Sequence, residues 1–180
     1  WLDRLRLLED PPAARAITIR GVARLRGAAH RVLPDRNEAV SFAVAALATR
    51  GRVRIAGVRA DDLAAFLEKA EAMGARVGRE ADALICSGAD AYRAADVKTA
   101  PHPGFMTDWQ QPLAILMIAA RGASTIHETV YEDRFGYVKD LRRMGADITV
   151  SDECIGDSPC RFAGRTFNHT ARITGPAVLQ

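Results

Sequence analysis

The segment DRNEAVSFAVAALATRGRVRIAGVRADDLAAFLEKAEAMGARV at 35–77 is matched by DWQQPLAILMIAARGASTIHETVYEDRFGYVKDLRRMGADITV at 108–150. Gly51 and Gly74 lie 23 residues apart, as do Gly122 and Gly145. Each second glycine sits between a methionine and an alanine: Met73 and Ala75, then Met144 and Ala146. Such a repeat constrains the fold more than local propensity does, because each copy is one supersecondary unit that must bury its apolar face against its neighbours.

Each copy reads as helix, strand, helix, strand. The first helix spans about Asp35–Thr49, or Asp108–Ala120, and is apolar enough to be buried. A run with β-branched alternation follows, RVRIAGV or ASTIHETV. The second helix carries Leu63, Phe66, Leu67, Ala70 and Met73 at three-to-four spacing, matched by Phe135, Val138, Leu141 and Met144. Gly74 and Gly145 then stand where a left-handed helix stop belongs. A shorter signature, ITIRGVARLR at 17–26, precedes the first copy, ICSGADAYR at 85–93 precedes the second, and RITGPAVLQ at 172–180 opens a third. The expectation is an α/β (α+β) fold of repeated units with sheets wrapped around buried helices. Residues 1–16 are a lead-in, 17–93 a first unit, 94–170 a second unit with the substrate loop, and 171–180 the start of a truncated third.

A formal net charge of +3 is too mild to imply nucleic acid. The longest apolar stretch, PLAILMIAA at 112–120, falls short of the roughly 20 residues of a membrane span. Cys86, Cys154 and Cys160 form no regular framework, which suits a reducing cytoplasm. Cys154 and Cys160 leave pairing or metal binding open, but no second ligand pair accompanies them, so they read as structural. His30, His102, His127 and His169 show no ligand spacing and read as surface or hydrogen-bonding residues.

The chemistry concentrates in two places. In PHPGFMTD, 101–108, Pro101, Pro103 and Gly104 make a stiffened loop that delivers Asp108 to the start of an apolar helix. Thr107 and Gln110 have the T-x-x-Q form of a capping box, which would put Asp108 at the first helical position. Asp35, its repeat partner, has no such approach loop; as an ordinary first-turn aspartate it would only stabilise its helix. The second place is HETVYEDRF, 127–135, a strand-to-helix junction where Arg134 offers a planar fork for phosphate or carboxylate.

TAPHPGFMTDWQ, ETVYEDRF and MGADI, preceded by HRVLPDRNEA, resemble the enolpyruvyl transferase family, and within it the UDP-N-acetylglucosamine 1-carboxyvinyltransferase branch. The resemblance runs from about Ile17 onward and corresponds to the central to C-terminal part of that branch. It implies a two-lobed transferase, each lobe an inside-out α/β barrel of three βαβαββ units. Its reaction moves the enolpyruvyl group of phosphoenolpyruvate to the 3-hydroxyl of UDP-N-acetylglucosamine, by addition and elimination, in peptidoglycan precursor synthesis. It implies no cofactor and no metal, a cytoplasmic location, and a second lobe of the same protein as partner. Asp108 matches the proposed general base at the sugar hydroxyl, and Val130 a position whose backbone contacts the sugar nucleotide. Arg134 matches an arginine that holds negative charge from phosphoenolpyruvate, and Arg36 is a further candidate for the same electropositive cleft.

Three positions depart from the family pattern: Asp133 for asparagine, Trp109 for a smaller apolar residue, and Asn37 for isoleucine. They leave open a non-catalytic binding module, and the fold shared with the transferase acting on shikimate 3-phosphate leaves that hydroxyl open as acceptor. The family's lysine-asparagine pair, cysteine loop and later arginine motifs have no counterpart here. The purified 180-residue chain alone is therefore expected to release no phosphate from phosphoenolpyruvate in the presence of the sugar nucleotide; measurable turnover would contradict that reading.

Overall fold

The structure, a computed structural model, describes residues 21–156 and 160–180. It divides into two compact units, Trp1–Leu33 and Pro34–Gln180. In the first, residues 21–33 are described and carry neither helix nor strand. The lead-in 1–16 and the opening of the signature at 17–20 lie outside the described residues.

Pro34–Gln180 holds both repeat copies. Helix α1, Arg36–Ala48, starts because the Asp35 side chain accepts hydrogen bonds from Asn37 N at 2.7 Å and Glu38 N at 3.3 Å. Strand β1 (Arg52–Ala56) follows, then a 3₁₀ turn at Ala60–Leu63 and helix α2 (Ala64–Met73). The predicted stripe Leu63, Phe66, Leu67, Ala70 and Met73 is buried throughout. Gly74 stops the helix at φ +114°. Strands β2 (Arg76–Arg79) and β3 (Ala83–Ser87) complete an antiparallel sheet in the order β1-β3-β2.

The second copy repeats this plan. Strands β4 (Tyr92–Arg93) and β5 (Asp96–Lys98) lead into helix α3 (Gln110–Ile118), β6 (Ala120–His127), helix α4 (Val138–Arg143), β7 (Asp147–Ser151) and β8 (Thr170–Gly175). Here β6, β8 and β7 pair antiparallel in the same first-third-second order, while β4 and β5 run parallel to β6. Gly145 has φ +102°, the counterpart of Gly74. One position breaks the symmetry. Met73 is the last residue of α2 and fully buried, whereas α4 ends at Arg143, and Met144 lies past its end with 40% of its surface exposed.

Helices α1 and α3 pack on each other, with β1 and β3 against α1 and with β6 and β8 against α3. The helices are thus inside and the sheets outside, as a unit must be when its first helix is apolar on nearly every side. Leu113, Ala114, Leu116, Met117 and Ile118 of α3 are all buried. Helix α1 is less covered, since Phe42 keeps 56% of its surface exposed.

The glycine of the short signature has a physical reason in both copies. Each closing strand passes over the end of the copy's first helix. A Cβ on Gly88 would lie 2.5 Å from Arg50 Cα, and one on Gly175 2.4 Å from the Ala120 carbonyl oxygen. Both obstacles are backbone and cannot rotate away. Gly88→Ala and Gly175→Ala should each cost about 2–3 kcal/mol in denaturant unfolding. Gly136→Ala, where a Cβ meets nothing within 4 Å, should stay within about 0.5 kcal/mol of the parent.

Candidate functional site

The site is organised by a residue that spacing gave no reason to single out. Glu128, fully buried just past the end of β6, accepts five hydrogen bonds. Thr99 Oγ1 donates at 2.9 Å and Val130 N and Tyr131 N at 2.6 and 2.9 Å to Oε1; Thr107 Oγ1 and Gln110 Nε2 donate at 2.7 and 2.6 Å to Oε2. A buried carboxylate is tolerated only when its lone pairs are filled this way. The donors come from β5's end, the approach to α3 and the turn after β6, so one carboxylate fastens three segments together. The network continues outward. Tyr137 Oη donates to Gln110 Oε1 at 3.3 Å, and burial pushes its phenol far above the ordinary value.

This corrects the capping-box expectation. Thr107 and Gln110 spend their side chains on Glu128, and neither the 3₁₀ turn Thr107–Trp109 nor α3 has a side-chain cap at its N-terminus. The buried carboxylate outcompetes the cap because charge-assisted hydrogen bonds are about twice as strong as neutral ones. Asp108 therefore sits in the middle of the 3₁₀ turn, two residues before α3, and not at its first position.

Both neighbours of Asp108 are anchored. Thr107 is tied to Glu128, and Trp109 is buried with its ring edge-on to Phe66 and Phe105, at centroid distances of 6.2 and 5.6 Å. The Trp109 indole N–H donates to Asn37 Oδ1 of α1 at 3.1 Å. The two departures Trp109 and Asn37 are therefore one interaction: the larger ring brings a polar N–H, and the asparagine satisfies it. The approach loop is closed by Ala100 N to Phe105 O at 2.8 Å and Gly104 N to Pro101 O at 2.9 Å.

Asp108 and Arg134, 26 residues apart in sequence, meet in an ion pair between Arg134 Nη2 and Asp108 Oδ1. Both side chains stay partly open to solvent. The Arg134 guanidinium lies over the Tyr131 ring, 5.4 Å from its centroid, and its buried Nε meets no partner among the described residues. Asp133 adopts φ +48°, a left-handed conformation that asparagine and aspartate tolerate best, so its place in the turn is set by backbone geometry. Val130 offers less than expected. Its N–H is held by Glu128 and its carbonyl already accepts Arg161 Nη1 at 3.0 Å, which leaves one carbonyl lone pair. Arg36 does not join the pair; its Nη1 donates to His102 Nδ1 at 2.9 Å, linking α1 to the tip of the approach loop. A cleft of about 510 Å³ opens beside the pair along Asp133, Lys139 and Arg142, but neither Asp108 nor Arg134 lines it. The pair stands on an open face.

Repeated units with helices inside and sheets outside, carrying a carboxylate and an arginine on one partly exposed face, make an α/β scaffold of internally repeated type. The chain belongs to the EPSP synthase (3-phosphoshikimate 1-carboxyvinyltransferase) family, whose model matches residues 8–173. It is 40% identical over 99% of its length to a UDP-N-acetylglucosamine 1-carboxyvinyltransferase of Protochlamydia amoebophila, and 40% identical over 91% to UDP-N-acetylglucosamine 1-carboxyvinyltransferase 2 of Streptococcus pyogenes. The chain spans about 39% of the length of each. Among solved structures, the enolpyruvyl transferase NikO from Streptomyces tendae matches with a TM-score of 0.67 and 26% identity, over 81% of this chain and 31% of that one. An EPSP synthase from Acinetobacter baumannii shares the fold, with a TM-score of 0.53 and 12% identity over 80% of this chain and 29% of its own. No described helix is long and apolar enough to cross a membrane.

Removing the organising carboxylate strands three side-chain donors and two backbone N–H groups. Glu128→Ala should cost about 3–5 kcal/mol in denaturant unfolding. A loss below about 1 kcal/mol would show that the five hydrogen bonds do not hold the site together.

Proposed function

We propose that the full-length protein transfers the enolpyruvyl group of phosphoenolpyruvate to the 3-hydroxyl of UDP-N-acetylglucosamine, in cytoplasmic synthesis of peptidoglycan precursors. The observation that carries this reading is the Asp108–Arg134 pair, held on a rigid turn within a chain 40% identical to enzymes of that name. Asp108 accepts the proton of the sugar hydroxyl as its oxygen bonds to C2 of phosphoenolpyruvate, while C3 takes a proton from an acidic group of the second lobe. The tetrahedral adduct then loses phosphate and a C3 proton, restoring the double bond. Arg134 balances the negative charge of phosphoenolpyruvate, and its pairing holds Asp108 in one orientation between reactions. Val130 borders the sugar nucleotide, and Arg36 adds positive charge to the cleft. The other charged groups come from the second lobe, the partner of this chain within the same protein.

Shikimate 3-phosphate as acceptor is favoured by the family's description alone; the 40%-identical relatives carry the sugar-nucleotide name. Asp133 gives little support to a non-catalytic module, because its left-handed backbone explains it.

Phosphate release by the full-length protein, with each acceptor offered in turn, tests the reading. Asp108→Asn and Asp108→Ala should lower kcat by about 10²–10⁴-fold while the fold stays intact. A folded parent that is inactive with the sugar nucleotide would overturn it.

A further inference from the structure

Cys154, Cys160 and His169 are scattered in sequence and were read as ordinary residues, yet their donor atoms all lie within 4.8 Å of one another. His169 Nε2 is 3.5 Å from Cys154 Sγ and 3.6 Å from Cys160 Sγ. Zinc bonds of about 2.3 Å to sulfur and 2.05 Å to nitrogen, at tetrahedral angles, put sulfur and nitrogen about 3.6 Å apart. The two observed separations already have that spacing.

The imidazole is prepared as a ligand. His169 is fully buried, and its Nδ1 lies 3.1 Å from the Phe167 carbonyl oxygen. Donation of Nδ1–H to that carbonyl leaves Nε2 as a lone pair facing both sulfurs, the arrangement by which metal-bound histidines are oriented. Phe162 and Phe167 stand edge-on to the ring at 5.7 and 6.0 Å. Cys154 is exposed, so the cluster has a solvent side.

We propose that Cys154, Cys160 and His169 form a binding site for a zinc-class cation, with a solvent molecule as fourth ligand. The site clips Cys154 and Cys160, in the connection that follows β7, to the start of β8. That connection carries Arg161, whose guanidinium donates to the Val130 carbonyl, while the His169 carbonyl accepts Glu128 N at 2.8 Å. The clip therefore braces the turn that holds Val130 and Glu128 without touching the Asp108–Arg134 pair.

The test is titration of the reduced, metal-free full-length protein with Co²⁺ and then Zn²⁺. Expected are thiolate-to-cobalt charge-transfer and tetrahedral d–d bands that Zn²⁺ bleaches. Cys154→Ser should weaken binding by at least about tenfold and remove part of the charge-transfer band, with Cys86→Ser as an unchanged control. Zinc-edge X-ray absorption of the unmutated protein should show two sulfurs at about 2.3 Å beside imidazole nitrogen, a readout that needs no variant to fold. Absence of the charge-transfer band in folded protein, its survival at full intensity in Cys154→Ser, or a Cys154–Cys160 disulfide that persists with Zn²⁺ present would overturn the proposal.

Discussion

Everything at the candidate site depends on one buried carboxylate. Among the described residues no cation pairs with Glu128; five N–H and O–H donors fill its two oxygens. Burying a charge this way is costly unless every lone pair is met, so the donors are not free to rearrange. Their segments, Thr99 after β5, Thr107 and Gln110 before and in α3, and the Val130–Tyr131 turn, are held in one arrangement. The Asp108–Arg134 pair sits on two of those segments and inherits their rigidity. A partly exposed ion pair alone would contribute little to order.

The second support comes from across the repeat. Trp109 reaches the first copy through Asn37 and Phe66, so the turn bearing Asp108 in the second copy is braced by α1 and α2 of the first. A substitution that looks divergent at one position is compensated at another, 72 residues away.

The open face of the pair fits a chain that spans about 39% of its curated relatives. Arginine and aspartate exposed to water hold a phosphate or a sugar hydroxyl weakly, because solvent screens them. Enclosure by a second lobe would exclude that water and strengthen both contacts. Under the proposed function the division of labour is physical: this chain would supply the positioned base and one cation, and closure the low dielectric in which they act.

The repeat, the helix and strand types, the left-handed stops at Gly74 and Gly145 and the burial of α3 were legible in the sequence, because each follows from periodicity or from a glycine's freedom; α1, expected buried as well, hides only one face. Asp108 and Arg134 were legible as candidates from their approach loop and junction. Their contact was not, since an ion pair between residues 26 apart depends on how β6 and α3 are laid side by side. The role of Thr107 was misread for the same reason: T-x-x-Q describes a local cap, and a buried glutamate 21 residues away claims both side chains. The signal for Glu128 was present only as an acidic residue at the end of an apolar strand. Likewise Cys154, Cys160 and His169 have no ligand spacing along the chain, and the β7–β8 connection alone brings them together. The sequence by itself determined which units form and where the two glycine stops fall, because those are short-range matters of apolar spacing and backbone freedom. Only the tertiary structure decided which polar groups meet, because a buried donor or acceptor takes whichever partner the packing of distant segments leaves within about 3 Å.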